Sequence, residues 1–326
     1  MPISYKGSKR KLAKNIYDLI LKENPNANTI VDLFCGGFAV GEEFMLNGWT
    51  VYANDINKYI VALIDQVVNK VLDPDITYKF VTREQFTNVR DNPDDYEDWY
   101  VGFVLSIYSF GNNCLRYIYG KHIEEYKQKY HDVVVDGIDN TDYLAKYCTE
   151  YVKLKNNINI DCKIVMPIGT KIQSRRLEIR KQINIFERMC KQELQILKKV
   201  QSLERLQSLQ SLQSLESLER LQSLENLKSD LTLTTLDYQD VQIPEQAIIY
   251  CDIPYIDTDK YHKQGFNHIK FWDWVRIKSK THKVYISEYN APDDFEVVFS
   301  FAKTSSYSSH TNKTQTVEKI FTYSQQ

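Results

Sequence analysis

The chain has 326 residues, with 41 basic and 43 acidic side chains and a formal net charge of −2, so it can bury a sizeable core, and any nucleic-acid surface must be a local patch rather than a global charge. Its six cysteines, Cys35, Cys114, Cys148, Cys162, Cys190 and Cys251, show no CxxC pair or metal-finger spacing, which argues against a zinc-finger or disulfide scaffold and suits reduced thiols. No N-terminal run reads as a signal peptide, and no stretch approaches the ~18 apolar residues of a membrane span, so a soluble, cytoplasmic protein is expected.

The opening segment SYKGSKRKLAKNIYDLILKEN starts with a Gly-Ser turn and continues as an amphipathic helix with Leu12, Ile16, Leu19 and Ile20 at helical spacing. Lys6, Lys9, Arg10, Lys11 and Lys14 crowd its start. A solvated helix face is the ordinary reading of such a run, and an anion or phosphate site beside a flexible loop is the functional one. Thr29 to Phe34 then reads as a buried strand, followed by Cys35, Gly36, Gly37 and a helix over AVGEEFML. Strand, glycine turn and helix form the nucleotide-binding opening of a doubly wound sheet. A second strand, Trp49 to Ala53, ends in Asn54 and Asp55. Asp55 lies about 20 residues past the glycines, where an acid can bond ribose hydroxyls, and it can equally cap a helix from Lys58 to Val67.

Residues 69 to 193 are polar and rich in aromatic and basic side chains, including Tyr108, Phe110, Arg116, Tyr117, Tyr119 and Lys121, with a turn at Gly111 to Asn113. That mixture suits contact with bases and phosphates, and it equally suits a helical subdomain with a tyrosine-rich core. Arg175, Arg176, Arg180, Lys181 and Arg188 mark a basic helix. From Leu194 to Leu227 an apolar residue recurs every third position. In an α-helix that stripe winds around the axis and leaves no single buried face, so the segment is no heptad coiled coil. Its composition favours helix, a three-sided solenoid is the alternative, and its repeated LQS, LES and LER units read as duplication with little chemistry.

Leu231 to Leu236 reads as a strand ending in Asp237 and Tyr238. The stretch AIIYCDIPY, Ala247 to Tyr255, runs from a buried strand into Asp252, Ile253, Pro254 and Tyr255, at the carboxyl end of a strand where open α/β sheets bind ligands. Further strands are expected at Lys283 to Ser287, Phe295 to Phe301 and Val317 to Tyr323, with an EYNAP turn at Glu288 to Pro292. The glycine turn, the acids Asp55, Asp237 and Asp252, and the adjacent ring make a cleft for a nucleoside-bearing cofactor opposite a second planar ligand. Asp257 and Asp259 have no third ligand at suitable spacing, so no metal is expected.

YKGSK, DLFCGG, the acid at Asp55, CDIPY with the following YHKQGFNHIKFWDW, and ISEYNAPDDFE together resemble the Dam-type, class D12, adenine-specific DNA methyltransferases of phages and bacteria. The resemblance covers residues 1–68 and 232–326, and SFGNN is also similar to relatives. It implies a doubly wound, Rossmann-like α/β sheet in which 1–68 and 232–326 form an S-adenosylmethionine-binding catalytic domain. Residues 69–193 would be an inserted, mainly helical target-recognition region, and 194–231 the leucine-triplet repeat. The implied methyl donor is S-adenosylmethionine, the implied acceptor adenine N6 in double-stranded DNA, and a cognate restriction nuclease is an expected partner type. By position, Tyr5 and Lys9 would meet the cofactor, Asp32, Phe34, Gly36 and Gly37 would hold it, Asp55 would take its ribose and Asp237 its adenine. Asp252 would stand between cofactor and base, Asp252 to Tyr255 would be catalytic, and Lys9, Asn112, Asn113, Arg116 and His268 would face DNA.

The chemistry agrees with those roles. An aromatic amine is a poor nucleophile, and acceptors on its hydrogens favour the form that attacks. Asp252 and the Ile253 carbonyl are the candidate acceptors. The base must leave the duplex, and Tyr255 offers a face for it. No Pro-Cys dipeptide occurs, which argues against the cysteine route to C5-methylcytosine. Ile253 replaces a proline usual in the family, and Phe38 stands where relatives often carry a small residue. Alternatives are therefore an impaired relative that keeps cofactor and DNA affinity, or methylation of cytosine N4. His268, Phe271 and Trp272 suit packing more than catalysis, and Cys251 suits a buried, inert thiol.

Overall fold

The computed structural model describes residues 3, 7–69, 76, 78–156, 160–168, 171–196, 231–255, 266–304 and 315–324. Tyr5, Lys6, Asp257, Asp259 and nearly all of the leucine-triplet segment lie outside the described residues. The chain divides into two compact units, one made of Met1–Leu72, Asn92–Ser106 and Arg220–Gln326, the other of Asp73–Asp91 and Ile107–Glu219.

The first unit is built on a seven-stranded sheet. In chain order its elements are α1 (Ala13–Glu23), β1 (Thr29–Asp32), α2 (Ala39–Leu46), β2 (Thr50–Asn54), α3 (Lys58–Asn69) and α4 (Asp98–Ile107). After the other unit come β3 (Leu231–Thr234), β4 (Ile248–Asp252), α5 (His268–Lys278), β5 (Val284–Glu288), β6 (Phe295–Thr304) and β7 (Gln315–Tyr323). The strand order is β3-β2-β1-β4-β5-β7-β6. The first five strands are parallel and β7 runs antiparallel to both neighbours. Central strands covered on both faces read as continuous apolar runs, and TIVD and IIYC do so. The chain leaves β1 towards β2 on one side and leaves β4 towards β5 on the other. The crevice between the carboxyl ends of β1 and β4 is thus the switch point of the sheet.

One face of the sheet packs into a core of Val31, Ile249, Cys251, Phe271, Trp274 and Ile286, among others, and the side chain of Ile253 belongs to it. Helix α1 buries Ala13, Ile16 and Ile20, and its carboxyl end is tied to β5 through the Tyr285 hydroxyl, which donates to Glu23 at 2.6 Å and accepts from Asn24 Nδ2 at 2.7 Å.

Two observed features differ from the sequence expectations. Asn57, not Asp55, caps α3: its Oδ1 accepts from Tyr59 N–H at 3.2 Å, while Asp55 is engaged with the glycine turn. The segment 92–106 falls in the sheet-bearing unit rather than with the rest of 69–193. The reason lies at Gly102 of α4, where a Cβ would stand 2.1 Å from the Tyr59 carbonyl oxygen of α3. Only glycine lets the two helix backbones approach so closely.

Among the described residues the second unit is mainly helical: α6 (Arg83–Asp91), α7 (Lys121–His131), α8 (Thr141–Asn156) and α9 (Ile172–Ile196). Tyr108, Tyr117, Tyr119, Tyr126 and Tyr130 are buried, so the tyrosine-rich core is real and these rings are not an open platform for bases. Part of the basic helix is structural too: Arg175 donates to the Val134 and Val135 carbonyls, and Arg176 is buried.

Candidate active site

The site is assembled at the carboxyl ends of β1, β2 and β4. After β1 the chain turns at Gly36, whose φ of 46° lies in the left-handed region. The turn is held on three sides. Cys35 N–H donates to the Asn54 carbonyl at 2.9 Å, Ile3 N–H donates to the Gly37 carbonyl at 2.9 Å, and Gly36 N–H donates to Asp55 Oδ2 at 2.8 Å. Asp55 Oδ1 accepts from Asn57 N–H at 2.9 Å. Phe38 follows with φ of 62°, a strained value for a residue with a Cβ. Its ring is fully buried and lies over Gly41, where a Cβ would stand 2.2 Å from the ring. The large residue at position 38 is thus accommodated by a glycine one helical turn on.

Asp32, the last residue of β1, is buried and accepts from Gly41 N–H at 3.0 Å. Burial pushes its carboxyl up to about 7, with the neighbouring Asp252 and Asp55 acting in the same direction and the Gly41 hydrogen bond opposing them.

Asn54 is the residue that sequence reasoning passed over. Its buried amide donates to the Leu33 carbonyl at 3.2 Å and the Leu236 carbonyl at 3.0 Å, and it accepts from the Thr234 hydroxyl at 2.8 Å and Leu236 N–H at 2.9 Å. One side chain therefore sets the loops after β1 and β3 against each other. Beyond it, Asp237 is exposed and accepts from Gln239 N–H at 3.0 Å, while the Tyr238 ring packs on Phe34 at 5.6 Å. Phe34, Tyr238, Phe266 and Phe271 form a continuous aromatic wall beside the glycine turn.

Across the switch point, Asp252 ends β4 with its side chain 21% exposed. Ile253 is buried in the core, so packing holds this position without the stiffness of a proline ring. His268 Nε2 donates to the Pro254 carbonyl at 2.8 Å, which makes this residue a support of the loop after β4. The Tyr255 ring meets Tyr289 edge-on at 4.7 Å.

Lys9 is the largest departure from expectation. It is 5% exposed, unlike Arg10, Lys11 and Lys14 of the same run, which are exposed. Its ammonium is 2.5 Å from Asp252 Oδ1, 2.6 Å from the Tyr255 hydroxyl and 2.9 Å from Glu318 Oε1. Burial acts to lower the lysine pKa, but the Asp252 and Glu318 carboxylates outweigh it and the pKa is raised. Burial likewise raises Asp252 despite Lys9. Glu318, absent from the sequence-derived candidates, comes from β7. Because that strand is reversed, its amino end lies beside the carboxyl end of β5, with Lys319 opposite Glu288.

The remaining candidates, Asn112, Asn113 and Arg116, belong to the second unit. Asn113 Oδ1 accepts from Leu115 N–H at 2.9 Å and Arg116 N–H at 3.2 Å, a turn that leaves Arg116 exposed. Arg116 lines a cavity of about 530 Å³ with Arg83, Arg90, Phe110 and Leu115.

A family model described as D12 class N6 adenine-specific DNA methyltransferase matches residues 5–322, nearly the whole chain, and the seven-stranded, mostly parallel sheet is consistent with a methyltransferase fold. With its glycine turn and its Asp252 loop facing across one switch point, the chain belongs to the D12 class of N6 adenine-specific DNA methyltransferases.

Proposed function

We propose how this chain divides the labour of the family's reaction, the S-adenosylmethionine-dependent methylation of adenine N6 in DNA. Asp252 and the main-chain carbonyl of Ile253 accept hydrogens from the adenine amine, and the Tyr255 ring supports a base turned out of the duplex. The observation that carries this reading is the position of Asp252 at the switch point, opposite the glycine turn.

The residues present fit the cofactor chemically. Gly36 leaves room for a close approach, Asp55 offers carboxylate oxygens to ribose hydroxyls, and Phe34 with Tyr238 offers an aromatic wall. Asp252 and Glu318 outnumber Lys9, which suits a cationic sulfonium over a neutral thioether. When bound, the cofactor supplies an electrophilic methyl group. The protein contributes position and electrostatics: Asp252 orients the amine hydrogens, and the buried Ile253 fixes the loop that carries its own carbonyl.

Residues 1–68 and 232–326 form the cofactor-binding catalytic part in this proposal, joined by 92–106. The exposed Arg116 turn and its arginine-lined cavity contact the DNA. A cognate nuclease as partner completes the reading. The test is Asp252→Asn with labelled cofactor and unmethylated mixed-sequence DNA. Label in N6-methyladenine should fall by about 1,000-fold or more while cofactor binding persists, and a variant that still turns over normally sinks the clamp.

A further inference from the structure

Under the amine-clamp reading, the clamp holds an internal occupant. Lys9 places its ammonium 2.5 Å from Asp252 Oδ1, so it competes for the oxygen that an incoming amine needs. A buried ammonium cannot simply lose its counter-charge, because an unpaired charge in that setting is strongly unfavourable. Glu318 resolves the conflict. Its Oε1 lies 2.9 Å from Lys9 Nζ and accepts the Tyr255 hydroxyl hydrogen at 2.5 Å, and its side chain is 1% exposed.

We propose that Glu318 is a positioning residue that acts on the reaction through Lys9 and Tyr255. It keeps Lys9 paired when the lysine gives up Asp252 to the adenine amine, and it fixes the ring of Tyr255 through the hydroxyl. Lys9 thereby passes between two carboxylates across about one hydrogen-bond length, and the cluster never holds an unmatched cation. Without Lys9, Asp252 and Glu318 would face each other as like charges; with Lys9 and no Glu318, the lysine would stay locked on Asp252. The geometry follows from the fold, since only a reversed strand beside β5 presents a residue from the end of the chain at this edge of the sheet.

The test is a double-mutant cycle on the full chain, read by single-turnover methyl transfer to unmethylated mixed-sequence DNA. Glu318→Gln keeps an acceptor for the Tyr255 hydroxyl and removes only the charge. The rate should drop about 100-fold, with cofactor affinity changed by no more than about threefold. In a Lys9→Met background the same change should cost less than about threefold in rate, because no cation remains to be held, and relief of the like charge facing Asp252 can only raise it. Equal losses in both backgrounds, or no loss in either, overturn the proposal. If Glu318→Gln alone does not fold, the comparison of Lys9→Met with Lys9→Met/Glu318→Gln decides: a rate equal to or above that of Lys9→Met upholds the coupling, and a further loss of about tenfold or more refutes it. Asp252→Asn in parallel separates the two levels. An active Asp252→Asn chain defeats the clamp itself, whereas an inactive one beside a fully active Glu318→Gln chain defeats only the role of Glu318.

Discussion

Asp32 contributes to stability a dependence on pH opposite in sign to that of an ordinary paired carboxylate. The perturbation is Asp32→Asn, which preserves the acceptor for Gly41 N–H and removes the titration. In the folded chain the carboxyl is pushed up to about 7 from an ordinary 3.8, chiefly by burial. Between those values the native state holds a proton that the unfolded chain has released, so stability falls as pH rises from about 4 to about 7 and is level beyond it. A shift of that size corresponds to about 4 kcal/mol in all, of which about 2.5 kcal/mol is lost between pH 5 and pH 8. Urea unfolding of wild type and variant at both pH values is the assay. The introduced amide adds its own, pH-independent cost, so the informative quantity is how the difference between the two chains changes with pH. The variant should gain on wild type by about 2.5 kcal/mol at pH 8 relative to pH 5. Curves that stay parallel within about 1 kcal/mol would refute a protonated Asp32.

Other consequences can be measured as directly. Asn54→Ala removes a buried amide with four hydrogen bonds and should cost about 2–4 kcal/mol in urea unfolding, with weaker cofactor binding by calorimetry, because the loops after β1 and β3 lose their tie. Gly102→Ala places a methyl where 2.1 Å separates it from the Tyr59 carbonyl. The helices must part, so a loss of about 2 kcal/mol or more is expected, and a lower melting temperature checks it. Arg116→Ala should weaken DNA binding by about 1–3 kcal/mol and flatten its salt dependence, while cofactor binding stays at the wild-type value; fluorescence anisotropy at several salt concentrations reports both.

Much of the architecture was legible because its signals are local. Apolar runs punctuated by Gly36, by Asp55 and by Asp252 mark strand ends without reference to anything distant, and the switch point follows from them. The family resemblance rests on those same residues. What escaped is long-range. Lys9 sits in a run of exposed cations that reads as a solvated face, and its burial depends on partners more than 240 positions away in sequence. Glu318 lies in VEKIFTY, where an acid followed by a lysine reads as the solvated side of a strand. It is buried because β7 lies between β5 and β6 instead of at the rim. Asn54 reads as a strand terminator, and its four partners belong to loops that only the folded sheet brings near. The attachment of 92–106 to the sheet-bearing unit turns on Gly102, which in WYVGFVLSI reads as a mere weakness in a helix.

The order of the last two strands ties the Glu318 contact to the completion of the sheet. β6 precedes β7 in the chain but touches the sheet only through it, so β6 joins the sheet only when β7 pairs beside β5. Because β7 also carries Glu318, the carboxylate cluster closes in that same event, joining a residue just ahead of the first helix to the last strand. Pairing across such a span is slow relative to local helix formation. A growing or partly folded chain can therefore hold a finished glycine turn while the Lys9, Asp252 and Glu318 cluster is still incomplete. Under the role proposed for Glu318, refolding followed by regained transfer should lag behind refolding followed by helix content.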